Sequence, residues 1–108
     1  MVTVKVKMRG DDIVEVEAKG HAGYAKFGKD IVCSAASAVM QTALLGLIDV
    51  SGARVEHKLG DDGYLFFKVP EPLRAEEGIR QQAIVKAMML GLRDLEKGYK
   101  AYLKTEVK

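Results

Sequence analysis

The chain has a single cysteine, Cys33, and much is excluded by that scarcity. One thiol cannot close an internal disulfide, so a disulfide-stapled secreted scaffold is out and a reducing compartment is the natural setting. No secretory leader pattern opens the sequence, and a cytoplasmic location is expected. The two histidines, His21 and His57, lie far apart and, with one cysteine, match no zinc-ligand spacing. Neither a metal nor a cofactor is expected: the dinucleotide fingerprint and the P-loop pattern are missing, and Gly20, Gly23 and Gly28 resemble a phosphate-cradling loop only loosely. There is no repeat, no linker and no low-complexity tract. The basic residues form no dense run. A net charge of +2 and a pI of 8.7 permit an anionic partner such as RNA without demanding one. Residues 31–50 are the most apolar stretch, yet they carry Ser34, Ser37, Gln41, Thr42 and Asp49, which predicts a buried core helix and not a membrane span.

What is present suffices for one domain over residues 1–108, since hydrophobic residues make up 48% of the chain. Residues 2–9 alternate, with Val2, Val4, Val6 and Met8 on one face and Thr3, Lys5, Lys7 and Arg9 on the other. After a Gly10-Asp11-Asp12 turn, residues 13–19 predict a second strand with Val14, Val16 and Ala18 inward. That hairpin sets Lys5 and Lys7 against Glu15 and Glu17. A glycine-bearing loop, 20–30, leads to a helix from Ile31 to Val50, stopped by Ser51-Gly52. Residues 53–59 and 64–69 predict a second hairpin. Pro70-Glu71-Pro72 breaks the chain before a helix containing Ile84, Met88, Leu92 and Leu95, and residues 99–107 alternate as a last strand, with a frayed helix as the alternative. The predicted order is ββαββαβ, an α+β fold in which two helices cover a mainly antiparallel sheet.

The chemistry is concentrated between His21 and Cys33, twelve residues apart. An ordinary thiol is mostly protonated at neutral pH, and thiolate catalysis needs a base and a favourable field. If the helix starts at Ile31, Cys33 falls in its first turn, where open backbone amides stabilise a negative sulfur and an oxyanion. His21 would accept the thiol proton and return it to the leaving amine. Asp30 is an N-cap or a carboxylate that orients His21, and the two roles can coexist, although a carboxylate beside Cys33 opposes thiolate formation. Ser37, one helical turn after Cys33, is either a small packing residue that bonds its own helix or a donor near the thiol. His57, on an alternating strand face, reads as structural. Tyr24, Lys26, Phe27 and Lys29 decorate the loop, which reads either as a surface loop or as a lid that orders over a peptide.

The segment Gly20-His21-Ala22 followed by Gly28-Lys29-Asp30-Ile31-Val32-Cys33-Ser34-Ala35-Ala36-Ser37 resembles the signature of the bacterial ribosomal-processing cysteine proteases, the Prp family. The order of elements is similar over nearly the whole chain. The resemblance implies a cysteine endopeptidase with His21 as general base and Cys33 as nucleophile, supported by Asp30 and Ser37. It assigns Gly20 and Gly28 to shaping the loop, which with Gly23 admits the peptide. It implies a homodimer acting on the N-terminal extension of large-subunit ribosomal protein twenty-seven, near a motif with paired phenylalanines, and meeting nucleic acid only indirectly through the ribosome. Ser34 departs from the alanine common at that position; both are small.

Two other classes fit the residues. A non-enzymatic ribosome- or RNA-binding module would use Lys5, Lys7, Tyr64, Phe66 and Lys68 on a strand surface and would be indifferent to loss of Cys33. A redox sensor would use Cys33 alone, without a resolving cysteine.

Overall fold

The structure is a computed structural model that describes residues 1–20, 29–60 and 63–108, the side chains of Lys29 and Asp30 excepted. Strands β1 (Val2–Arg9) and β2 (Asp12–Lys19) form the predicted hairpin, with Gly10 at φ +62° in its turn. Val4 faces Ala18 and Val6 faces Val16, all buried. On the other face Lys5 lies opposite Glu17 and Lys7 opposite Glu15, with Lys7 Nζ 3.4 Å from the Glu15 carboxylate.

One inward residue differs from expectation. The register shifts after Lys7, so that Met8 pairs with Ile13 and Val14 is left over. This bulge breaks the period of two, so Ile13 enters the core and Val14 is only half-buried. The Gln82 side chain secures the bent strand: its Oε1 accepts from Ile13 N–H at 2.8 Å and its Nε2 donates to Ile13 O at 2.9 Å.

Helix α1 (Lys29–Asp49) starts two residues earlier than the sequence suggested. Strands β3 (Glu56–Leu59) and β4 (Leu65–Lys68) form the second hairpin, helix α2 (Ala75–Gly98) follows, and β5 (Leu103–Val107) ends the fold after a turn at 99–102. The frayed-helix alternative for the tail is excluded. The sheet order is β3-β4-β2-β1-β5, antiparallel throughout except for the parallel β1–β5 pair. The fold is α+β, as the pattern predicted.

Both helices contribute to a single core. Val32, Ala36, Met40, Leu44 and Leu47 of α1 and Val85, Met88, Met89 and Leu92 of α2 join strand residues that include Phe67, which is fully buried. By length and composition α1 could cross a membrane, but this buried stripe identifies it as the core helix of the fold. The helices approach closely where glycine meets a branched side chain: a Cβ at Gly46 would lie 3.3 Å from Ile84 Cγ2, and one at Gly91 would lie 3.4 Å from Val39 Cγ1.

Candidate active site

Because α1 begins at Lys29, Cys33 is its fifth residue and not a first-turn residue. The open amides belong to the turn before it, and its own N–H falls within the helical ladder. The Cα–Cβ bonds of a helix tilt toward its N-terminus, so the side chain still leans back over that first turn. Asp30 stands second in the helix, inside the first turn and not at the cap, where an acidic residue is favoured by the helix dipole. Its side chain, like His21, Gly23, Gly28, Tyr24 and Phe27, lies outside the described residues.

Cys33 is half-buried and packs against the edge of the core. Positions 33, 37 and 41 form one line along the helix, spaced at i, i+4 and i+8. Cys33, Ser37 and Gln41 all border a cleft of about 580 Å³. The opposite wall comes from the second hairpin, through Leu59, Gly60, Gly63, Tyr64 and Leu65; Val2, Ala18, Ala36 and Met40 supply apolar surface beneath. A groove with a polar row and a mostly apolar lining, to which Ser34 and the Tyr64 phenol add polar atoms, suits an extended peptide, whose backbone needs a few hydrogen bonds and whose side chains need apolar contact.

Gly20 borders the same cleft. Its φ of +97° is left-handed, and a Cβ there would collide with the carbonyl oxygen of Met1. Glycine is therefore required where the chain leaves β2 for the segment carrying His21.

Tyr64 is fixed in the cleft wall by its hydroxyl, which donates to Glu17 Oε2 at 2.9 Å. That hydrogen bond, with partial burial and the carboxylate's charge, raises the phenol above its ordinary value. Glu17 faces Lys5 across the hairpin, as the pattern predicts, and its carboxylate accepts from Tyr64, with Lys19 Nζ 3.9 Å away. His57 is exposed on the edge strand, with Nδ1 3.0 Å from the Val55 carbonyl, and is absent from the cleft lining. Gln41 was missed as a site residue. Its Nε2 donates to Ser37 Oγ at 2.6 Å, and the i+4 step from Ser37 was the available signal.

The family model described as cysteine protease Prp matches residues 1–104. The ribosomal processing cysteine protease Prp of Bacillus subtilis (strain 168) is 33% identical over 93 residues, covering 85% of this chain and 83% of its own. The protein of the same name from Staphylococcus aureus (strain Mu50) is 27% identical over 109 residues, covering 100% of both chains. The crystal structure of an essential ribosomal processing protease Prp from S. aureus, in complex with a covalently linked product peptide, matches the fold with a TM-score of 0.88 at 24% identity, over 100% of both chains.

Proposed function

Since the chain belongs to the Prp family of cysteine proteases, we propose that it removes the N-terminal extension of large-subunit ribosomal protein twenty-seven, with Cys33 as nucleophile and His21 as general base. The observation that carries this reading is the position of Cys33 on the wall of a peptide-sized cleft, next to a polar row and opposite an apolar wall. Thiolate attack on the scissile carbonyl forms the C–S bond and an oxyanion. His21, having taken the thiol proton, gives it to the leaving amine as the oxyanion collapses and the C–N bond breaks, leaving a thioester on Cys33. Water then adds to the thioester, and the restored thiol leaves the acid product. Ser37 offers a hydroxyl within the same groove, and Asp30 adds charge at the helix start. Gly20, Gly23 and Gly28 shape the segment that admits the peptide. The apolar lining around Tyr64 and Leu59 supports recognition of phenylalanine side chains near the cleavage point. The S. aureus neighbour holds a covalently linked product peptide, which is in keeping with a covalent intermediate here.

The enzyme acts in the cytoplasm, where its ribosomal substrate is made, and it acts as a homodimer. Support for the dimer comes from an apolar groove between α1 and α2, lined by Val39, Gly46, Ile84, Met88 and Gly91. Leu45 and Leu90, 60% and 69% exposed on the same two helices, add to the apolar surface. The RNA-binding alternative is disfavoured by the strand surfaces, where Lys7, Lys68 and Lys104 lie within ion-pair distance of Glu15, Glu56 and Glu106 and leave no unopposed basic stripe among them.

The test is cleavage of the purified precursor by wild type, Cys33→Ala and His21→Ala, read by intact mass. One N-terminal truncation with wild type and none with either variant is expected. Truncation that survives Cys33→Ala overturns the mechanism, and an uncut precursor with folded wild type overturns the substrate.

A further inference from the structure

We propose that Gln41 is a positioning residue for the thiol chemistry: its carboxamide sets the polarity of the Ser37 hydroxyl so that the hydroxyl's one proton is presented toward Cys33. The inference rests on the proposed reading of Cys33 as the nucleophile.

Three observations converge. Cys33, Ser37 and Gln41 occupy successive turns on one line of α1. All three border the same cleft. The contact between the last two, Ser37 and Gln41, is directional, with Gln41 Nε2 donating to Ser37 Oγ at 2.6 Å. A serine hydroxyl has one proton and two acceptor positions. Once a donor occupies its C-terminal side, the proton is left for the other side, the side of the preceding turn and of Cys33. A hydroxyl oriented in this way stabilises negative charge on sulfur. Turned the other way, it offers a lone pair and repels that charge.

The carboxamide is therefore not interchangeable with groups of similar size. Alanine at 41 removes the bias and leaves the hydroxyl free to rotate. An ionised glutamate reverses it, because a carboxylate only accepts and draws the Ser37 proton away from Cys33. Lysine restores a donor. If the pair were only an exposed i, i+4 contact on a helix, all three replacements would change stability slightly and turnover not at all.

The experiment measures kcat, KM and the pH midpoint of Cys33 alkylation by iodoacetamide, for Gln41→Ala, Gln41→Glu and Gln41→Lys, each alone and combined with Ser37→Ala. A Cys33→Ala control run alongside tests the underlying reading separately. The expected order of kcat is wild type, then Lys, then Ala about fivefold down, then Glu about fiftyfold down, with KM nearly unchanged. The alkylation midpoint rises in Gln41→Glu. In the Ser37→Ala background the three variants converge, since the coupling runs through the hydroxyl. A direct effect of the new charge across about 12 Å of helix is at most about twofold and persists without Ser37. Equal kcat for Gln41→Glu and Gln41→Ala overturns the inference, and so does a difference that survives Ser37→Ala. Activity retained by Cys33→Ala overturns the nucleophile reading instead.

Discussion

Replacing Gly20 by alanine combines two costs that a second glycine allows to be separated. Gly10 and Gly20 both adopt left-handed backbone, at φ +62° and +97°. Around Gly10 nothing lies within 4 Å of an added Cβ, whereas at Gly20 that atom would strike the Met1 carbonyl. Gly10→Ala therefore carries only the conformational penalty of an L-residue in that region, about 1.5 kcal/mol. Gly20→Ala carries at least that penalty, since φ +97° lies beyond the left-handed well, and must also push backbone aside. The backbone in its way is anchored, because Val2 is buried and its N–H donates to the Tyr102 carbonyl at 2.8 Å. Overpacking against a fixed neighbour adds about 2 kcal/mol, for a total near ~3.5 kcal/mol. Urea denaturation of both variants, with unchanged m-values, measures the difference directly. Precursor cleavage should fall in Gly20→Ala beyond what instability explains, because Gly20 borders the cleft, and stay at the wild-type level in Gly10→Ala. If the two variants agree within about 0.5 kcal/mol, the proximity of Met1 has no energetic consequence and the argument fails.

Gln82→Met should cost about 2 kcal/mol in the same assay, since it removes both hydrogen bonds to Ile13 and strands a part-buried backbone N–H; a loss below about 0.5 kcal/mol would show that the bulge holds itself. Tyr64 supplies a pH test. Its phenol is raised above the ordinary value of 10.0 in the folded protein, so the Glu17 hydrogen bond stabilises the fold fully below that pH and fades as pH rises through the folded value. Tyr64→Phe should thus lose stability relative to wild type at pH 8 and converge with it in strong alkali, and Glu17→Gln should bring the phenol's absorbance titration down; a titration unmoved by Glu17→Gln would refute the assignment.

Much of the fold was legible because most of its strands have one buried face; β3, exposed along its whole length, has none. Val2, Val4 and Val6 alternate with charged or polar partners, and Leu103 and Thr105 repeat the pattern at the other end of the chain. Val14 was misplaced because a bulge is set by pairing with a neighbour, which alternation along one strand does not register. The start of α1 was placed late because Lys29 and Asp30 look like loop residues when the apolar run is the guide. At the site, the spacing of Cys33 and Ser37 was readable as one helical turn. Gln41 was hidden by its role as a polar interruption in an apolar helix, and the second partner of Glu17 by the lysine that faces it. Its bond to Tyr64 joins β2 to a residue just before β4, a contact between remote segments that local pattern does not encode.

The parallel seam between β1 and β5 also fixes an order of events. Residues 2–6 pair with residues 103–107, and Val2, Val4 and Val6 are among the best-buried side chains. During synthesis β1 can find β2 early, but its other edge stays unpaired until residues 103–107 have been made. The hairpin must wait with one flank open while both helices emerge. Closure of this sheet is a late, long-range step, and a nascent chain stalled after α2 would carry a strand edge ready to pair with a stranger.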